Sequence, residues 1–119
     1  MNISNKYCES LTKYQRRKSR VVHIGNVPLG GNYPIRVQSM TTTDTMDTKA
    51  TVQQSIRMIE AGCEYVRITA PSIKEAQNLA EIKKDLKTQG YNIPLIADIH
   101  FTPNAAMKAA RIVEKVRIN

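Results

Sequence analysis

The chain has 119 residues, 41% of them hydrophobic, and 18 Lys and Arg against 10 Asp and Glu give it a formal net charge of +8. That length allows one domain with a real core, and the scattered charges mark a soluble globular chain rather than a disordered one. No apolar run approaches the ~20 residues of a membrane span, the N-terminus lacks the apolar segment of a secretion signal, and Cys8 and Cys63 match no closely spaced ligand pattern, which fits free thiols in a reducing, cytoplasmic setting.

Residues 1–20 read as a basic leader. Lys6, Lys13, Arg16, Arg17, Lys18 and Arg20 face Glu9 alone, a local net charge of +5, and the remainder of the chain carries +3. An arm of this kind can track nucleic-acid phosphates. With 5% aromatic residues and no nucleic-acid motif, a solvated leader is the better reading than a nucleic-acid-binding module. The modest Ser content also argues against a cleaved organelle transit segment.

Residues 21–33 read as a β-hairpin, with β-branched runs at Val21–Ile24 and Val27–Leu29 around the turn residues Gly25-Asn26. From residue 34 to 119 strand-like runs begin near Ile35, Tyr65, Pro94 and Lys115, separated by helical segments. The first helix is predicted from Asp47 or Thr48 to Ala61, with Val52, Ile56 and Ile59 on one face and Gly62 as its stop. The second opens at "SIKE", where Ser72 and Glu75 have capping-box spacing, and buries Ile73, Ala76, Leu79, Ile82 and Leu86 up to Gly90. The third starts at Thr102-Pro103 and presents Ala106, Ala109, Ala110 and Val113.

Strands alternating with helices imply a parallel sheet under right-handed crossovers. The first two strand-to-strand steps are 30 and 29 residues, close to the ~31 of an eight-unit barrel, and no Gly-rich turn follows a strand as dinucleotide binding requires. The predicted architecture is therefore α/β, the first half of a (β/α)8 TIM-type barrel of about four parallel strands, preceded by a short hairpin.

Strand alternation then sorts the polar residues. Arg36, Gln38 and Met40 share one face of the first strand, Arg67 and Thr69 of the second, Asp98 and His100 of the third, and Arg117 and Asn119 of the fourth. On the third strand Leu95, Ala97, Ile99 and Phe101 take the opposite face. Polar residues thus gather at the C-terminal ends, where barrel active sites sit. Two arginines flanking one acid suit phosphate or diphosphate, although an internal Arg–Asp network that fills the barrel has the same pattern. His100 is open to a structural or a proton-transfer role, and Asp-x-His alone does not make a metal site. The loop "TTTDTMDT" reads as helix capping.

The segments "IGNVPLG", "PIRVQSMTTTDT", "AGCEYVRIT", "IPLIADIHF" and "VRIN" resemble, in order and spacing, the N-terminal barrel of the 4-hydroxy-3-methylbut-2-enyl diphosphate synthase family. The resemblance covers residues 14–119, and the leader is similar to the larger plant-type and Bacteroidetes-type members. It implies an iron–sulfur oxidoreductase of the non-mevalonate isoprenoid pathway, cytoplasmic and homodimeric. Such an enzyme reductively opens 2-C-methyl-D-erythritol 2,4-cyclodiphosphate with electrons from ferredoxin or flavodoxin. On the matching motifs, Asp98 and His100 take catalytic places and Gln38, Arg67, Arg117 and Asn119 bind substrate. The family's [4Fe-4S] cluster is held by cysteines of a C-terminal domain, so neither Cys8 nor Cys63 is expected to be a ligand. The chain is expected to be a fragment that alone neither binds a cluster nor turns over. A different barrel enzyme acting on a sugar or polyol phosphate shares the arginine pattern without needing a cluster.

Overall fold

A computed structural model describes residues 8–119; Lys6 of the leader lies outside them. In chain order the elements are β1 (Val22–Ile24), β2 (Val27–Leu29), β3 (Gln38–Met40), α1 (Thr48–Glu60), β4 (Tyr65–Thr69), α2 (Ile73–Thr88), β5 (Leu95–Asp98), α3 (Pro103–Ala109) and β6 (Lys115–Arg117). β1 and β2 pair antiparallel, and β3-β4-β5-β6 form a parallel sheet in sequence order. This is the α/β half-barrel with a leading hairpin that the spacing predicts.

Helix signals act locally. The Asp47 carboxylate caps α1 by accepting from the Ala50 N–H at 3.1 Å, and Gly62 and Cys63 close its end by donating to Ile59 and Met58. The Ser72–Glu75 pair departs from a capping box, because the serine hydroxyl bonds the Glu75 carboxylate instead of a backbone N–H. That bond holds the Glu75 carboxyl below its usual range. Thr102 starts α3, but its hydroxyl reaches Pro71 O rather than capping.

Two layers of packing follow from the alternation of side chains. Val66 and Ile68 of β4 and Leu95 and Ala97 of β5 face the helices and meet Leu79, Ile82 and Leu86 of α2 in a fully buried core. The opposite face is covered near its N-terminal end by the hairpin, where Ile24 packs on Tyr65 and Ile96. Only Gly25 of the hairpin turn takes a positive φ (59°), and a Cβ there would lie 3.1 Å from the Pro94 ring, so the turn seats directly on the start of β5. The Tyr65 hydroxyl donates to Val27 O at 2.8 Å, and burial pushes the phenol pKa up.

Arg36 belongs to this floor, not to the polar end of the sheet. β3 begins only at Gln38, so the alternation projected from Ile35 does not reach Arg36. Its guanidinium donates to Pro28 O at 2.8 Å and to Glu64 at 3.0 Å, tying hairpin to sheet. Phe101 is likewise displaced, 85% exposed rather than packed with Ile99. The last bond from β5 into the sheet is Ile99 N–H to Arg117 O, after which the chain bends and strand alternation lapses. α3 stops at Ala109 because Arg111 and Ile112 turn to three-residue bonding, which swings the chain into β6. Ala105 and Ala109 are buried there, Ala106 is partly so, and Ala110 is exposed. Ile73 is also exposed at the start of α2.

Glu64 accepts from Val37 N–H at 2.8 Å while pairing with Arg36, and both contacts lower its pKa, the backbone bond most. A carboxyl lowered on folding stabilises the protein above its unfolded-state pKa, and that contribution disappears as pH falls through the folded-state value. Glu64→Gln is expected to lower the melting temperature at neutral pH, and the gap to the parent should close as the pH falls below the carboxylate range. Melting curves at stepped pH measure it; a gap independent of pH would show that the charge is not what matters.

Candidate functional site

The register sets the site. Met40, Arg67, Ile96 and Lys115 lie in one row across the sheet, and Thr69, Asp98 and Arg117 in the next toward the C-terminal ends. Asp98 is central and its side chain is only 7% exposed. One carboxylate oxygen meets Arg67 Nη2 at 2.9 Å and the other meets Arg117 Nη1 at 3.2 Å. The carboxylate therefore braces guanidiniums from the strands on both sides, in the charge-assisted geometry where such bonds are strongest. One acid against two bases leaves the cluster cationic.

Arg67 is 27% exposed and Arg117 41%, so both retain a path to an incoming ligand. His100 stands just past the strand, 42% exposed, with Nε2 at 4.0 Å from Asp98. That separation exceeds hydrogen-bond length. Among the described residues, two buried side-chain polar atoms lack a partner: Arg67 Nε and Thr41 Oγ1. Both sit at the same junction, because Thr41 N–H donates to Arg67 O at 2.9 Å. An unpaired buried donor is costly, and this one lies on a guanidinium at the polar end of the sheet.

Of the residues expected from the sequence, Asp98, His100, Arg67 and Arg117 come together. Gln38 does not join them, since it faces Tyr65 two rows down toward the floor and is exposed. Asn119 follows two residues after the end of β6, exposed and without a hydrogen bond to the cluster among the described residues. The threonine loop caps α1, as expected, and also does more. Thr45 is buried and donates to Thr69 O at 2.7 Å beside the Asp98 row. Asn78 of α2 anchors Thr45 O and Thr48, and Gln54 accepts from Thr42 N–H. The contribution of Thr41, Thr45 and Asn78 was not visible in the sequence, where a run of hydroxyls does not say which one is buried.

No group of three or more His, Cys, Asp or Glu among the described residues is arranged to hold a metal. Cys63 precedes β4 at the floor end, Cys8 is exposed, and both are free thiols. No helix among the described residues is long and apolar enough to cross a membrane.

The family model described as the GcpE TIM-barrel domain matches residues 19–119. A 4-hydroxy-3-methylbut-2-en-1-yl diphosphate synthase (flavodoxin) of Parabacteroides distasonis is 63% identical over 106 residues, covering 89% of this chain and 17% of that protein. The flavodoxin-named synthase of Protochlamydia amoebophila is 54% identical over 117 residues, covering 98% of this chain and 18% of that protein, so its match takes in the basic arm ahead of the family domain. The chloroplastic synthase (ferredoxin) of Oryza sativa subsp. japonica is 50% identical over 114 residues, covering 96% and 15% respectively. The chain thus spans less than a fifth of the length of these relatives.

Burial gives Asp98 a share in the fold as well as in any chemistry. Asp98→Asn keeps the shape but weakens two ion pairs, one of them screened at the more exposed Arg117, and is expected to lower stability by about 1–3 kcal/mol. His100→Asn, with no close partner to lose, should stay within about 0.5 kcal/mol. Urea midpoints of the two variants check this, and equal losses would contradict the assignment of Asp98 as the brace.

Proposed function

The chain belongs to the GcpE TIM-barrel domain family, and from that premise we propose that it forms the substrate-binding mouth of a 4-hydroxy-3-methylbut-2-enyl diphosphate synthase of the non-mevalonate isoprenoid pathway. The reaction is the two-electron reductive opening of 2-C-methyl-D-erythritol 2,4-cyclodiphosphate with loss of water. The electron donor is flavodoxin or ferredoxin, as the relatives' names state for those proteins. The working enzyme is a cytoplasmic homodimer.

In this reading Arg67 and Arg117 hold the diphosphate oxygens, and Asp98 keeps both forks aimed before the ligand arrives. Such preorganisation reduces the ordering needed on binding. The observation that carries the reading is the buried, unpaired Arg67 Nε, which is a donor without an acceptor in a cluster of net positive charge. In the same reading His100, partly open to water beside Asp98, passes a proton to the departing hydroxyl. Gln38 and Asn119 complete the substrate contacts only if the ligand extends below the Asp98 row or past the end of β6.

A [4Fe-4S] cluster belongs to the proposed activity, and the residues of this chain do not fit one. Cluster sites take four thiolates; here the two cysteines are Cys8 on the arm and Cys63 at the floor, away from the Asp98 row. The ligands are assigned to other parts of the protein, and this chain contributes binding and proton handling.

Arg67→Met and Arg117→Met are each expected to raise the dissociation constant for the cyclic diphosphate about tenfold or more, equivalent to ~1.4 kcal/mol. Calorimetric titration of the full-length protein measures this. If neither variant changes binding, the mouth is not the diphosphate site. His100→Asn should instead lower kcat with little change in binding.

A further inference from the structure

The basic arm carries charge that the mouth does not use; its residues 11–20 are exposed, and it is held to the hairpin at Ser19. Gly31 N–H donates to Ser19 O at 3.2 Å and to Ser19 Oγ at 3.1 Å, which fastens the arm to the end of the hairpin. Gly30, at φ +95°, permits an unusually close approach, since a Cβ there would lie 2.3 Å from Arg20 O. Between arm and hairpin opens a cleft of about 520 Å³. Arg16, Arg17 and Lys18 form one side, and Leu29, Tyr33 and Ile35 form the other.

No acidic residue lines this cleft, and among the described residues none of its three cations has a salt-bridge partner. Tyr33 and Ile35 are exposed beside them, and Arg36 lies 5.8 Å from the Tyr33 ring while already committed to Glu64. The volume falls within the range of small-molecule sites, about 300–1,000 Å³. A basic wall facing an apolar one suits a ligand with a charged end and an uncharged body. The site is short and concave, which favours a small ligand over a long polyanion.

We propose that this cleft is a second anion site, distinct from the mouth, for an organic phosphate or diphosphate. The phosphate end meets Arg16, Arg17 and Lys18, and the body lies along Tyr33 and Ile35. Exposed charge pairs are weak in water, so the body contact separates a bound ligand from a passing ion.

Titration with inorganic diphosphate and with geranyl diphosphate at about 0.15 M salt tests the proposal, where the Debye length is ~8 Å. Both should bind saturably to the parent and to the Arg67→Met variant, with geranyl diphosphate about tenfold tighter, the margin expected of a partly buried apolar body. The triple change Arg16→Ala, Arg17→Ala, Lys18→Ala should weaken binding in the Arg67→Met background about tenfold or more. Gly30→Ala removes no charge but forces the arm off the hairpin, and should weaken binding in the same direction. Binding that vanishes with Arg67→Met alone would place every anion at the mouth and overturn the proposal. So would binding indifferent to the triple change, indifferent to Gly30→Ala, or no tighter for geranyl diphosphate than for inorganic diphosphate.

Discussion

One carboxylate holds the upper end of the sheet in order. Asp98 is nearly enclosed, and each of its oxygens is taken by an arginine from a flanking strand. Parallel strands in a short sheet have only a few ladder bonds each, and β6 pairs over just three residues. An ion pair across each neighbouring junction fixes the strand tips where the ladder runs out. The same contacts point two guanidiniums into the concave side. Bracing of the strand tips and the orientation of both guanidiniums are therefore properties of one cluster, so a change at Asp98 reaches both.

The lower end uses a related device twice. Glu64 precedes β4, accepts from Val37 N–H just ahead of β3 and pairs with Arg36. Glu114 precedes β6, accepts from Leu95 N–H at the start of β5 and pairs with Lys83 of α2 at 2.6 Å. In each case an acid ahead of one strand satisfies a backbone donor near the start of the strand before it and is balanced by a cation from another element. These are charge-assisted contacts at positions where a parallel ladder leaves an N–H without a strand partner. The hairpin seats on Tyr65 and Ile96 at this same end, so apolar packing and two ion pairs together fix the start of the strands.

Much of this was legible in the sequence because the signals are local. The Gly25-Asn26 turn, the Asp47 cap, the stop after α1 and the polar alternation of Arg67, Asp98 and Arg117 each depend on residues within a few positions. The errors share a different cause. For Arg36 and Phe101, alternation extends past the point where a neighbour strand actually pairs, and that limit is set by tertiary contacts. At the end of α3, Ala110 continues the small-residue pattern while the bonding pattern has already tightened. Ser72 and Glu75 had the right spacing for a capping box but satisfied each other. In the threonine loop, which hydroxyl is buried depends on Asn78, thirty-three residues from Thr45 along the chain.

The hairpin packs on the sheet face beneath Tyr65 and Ile96, at the start of the strands. The Asp98 row lies at the other end, where the side chains of Arg67 and Arg117 stay 27% and 41% exposed. A cover that sits on one end of a face leaves the other end wet. Loosening the hairpin would therefore be felt first in the packing of Tyr65 and Ile96, and only at second hand by the arginines.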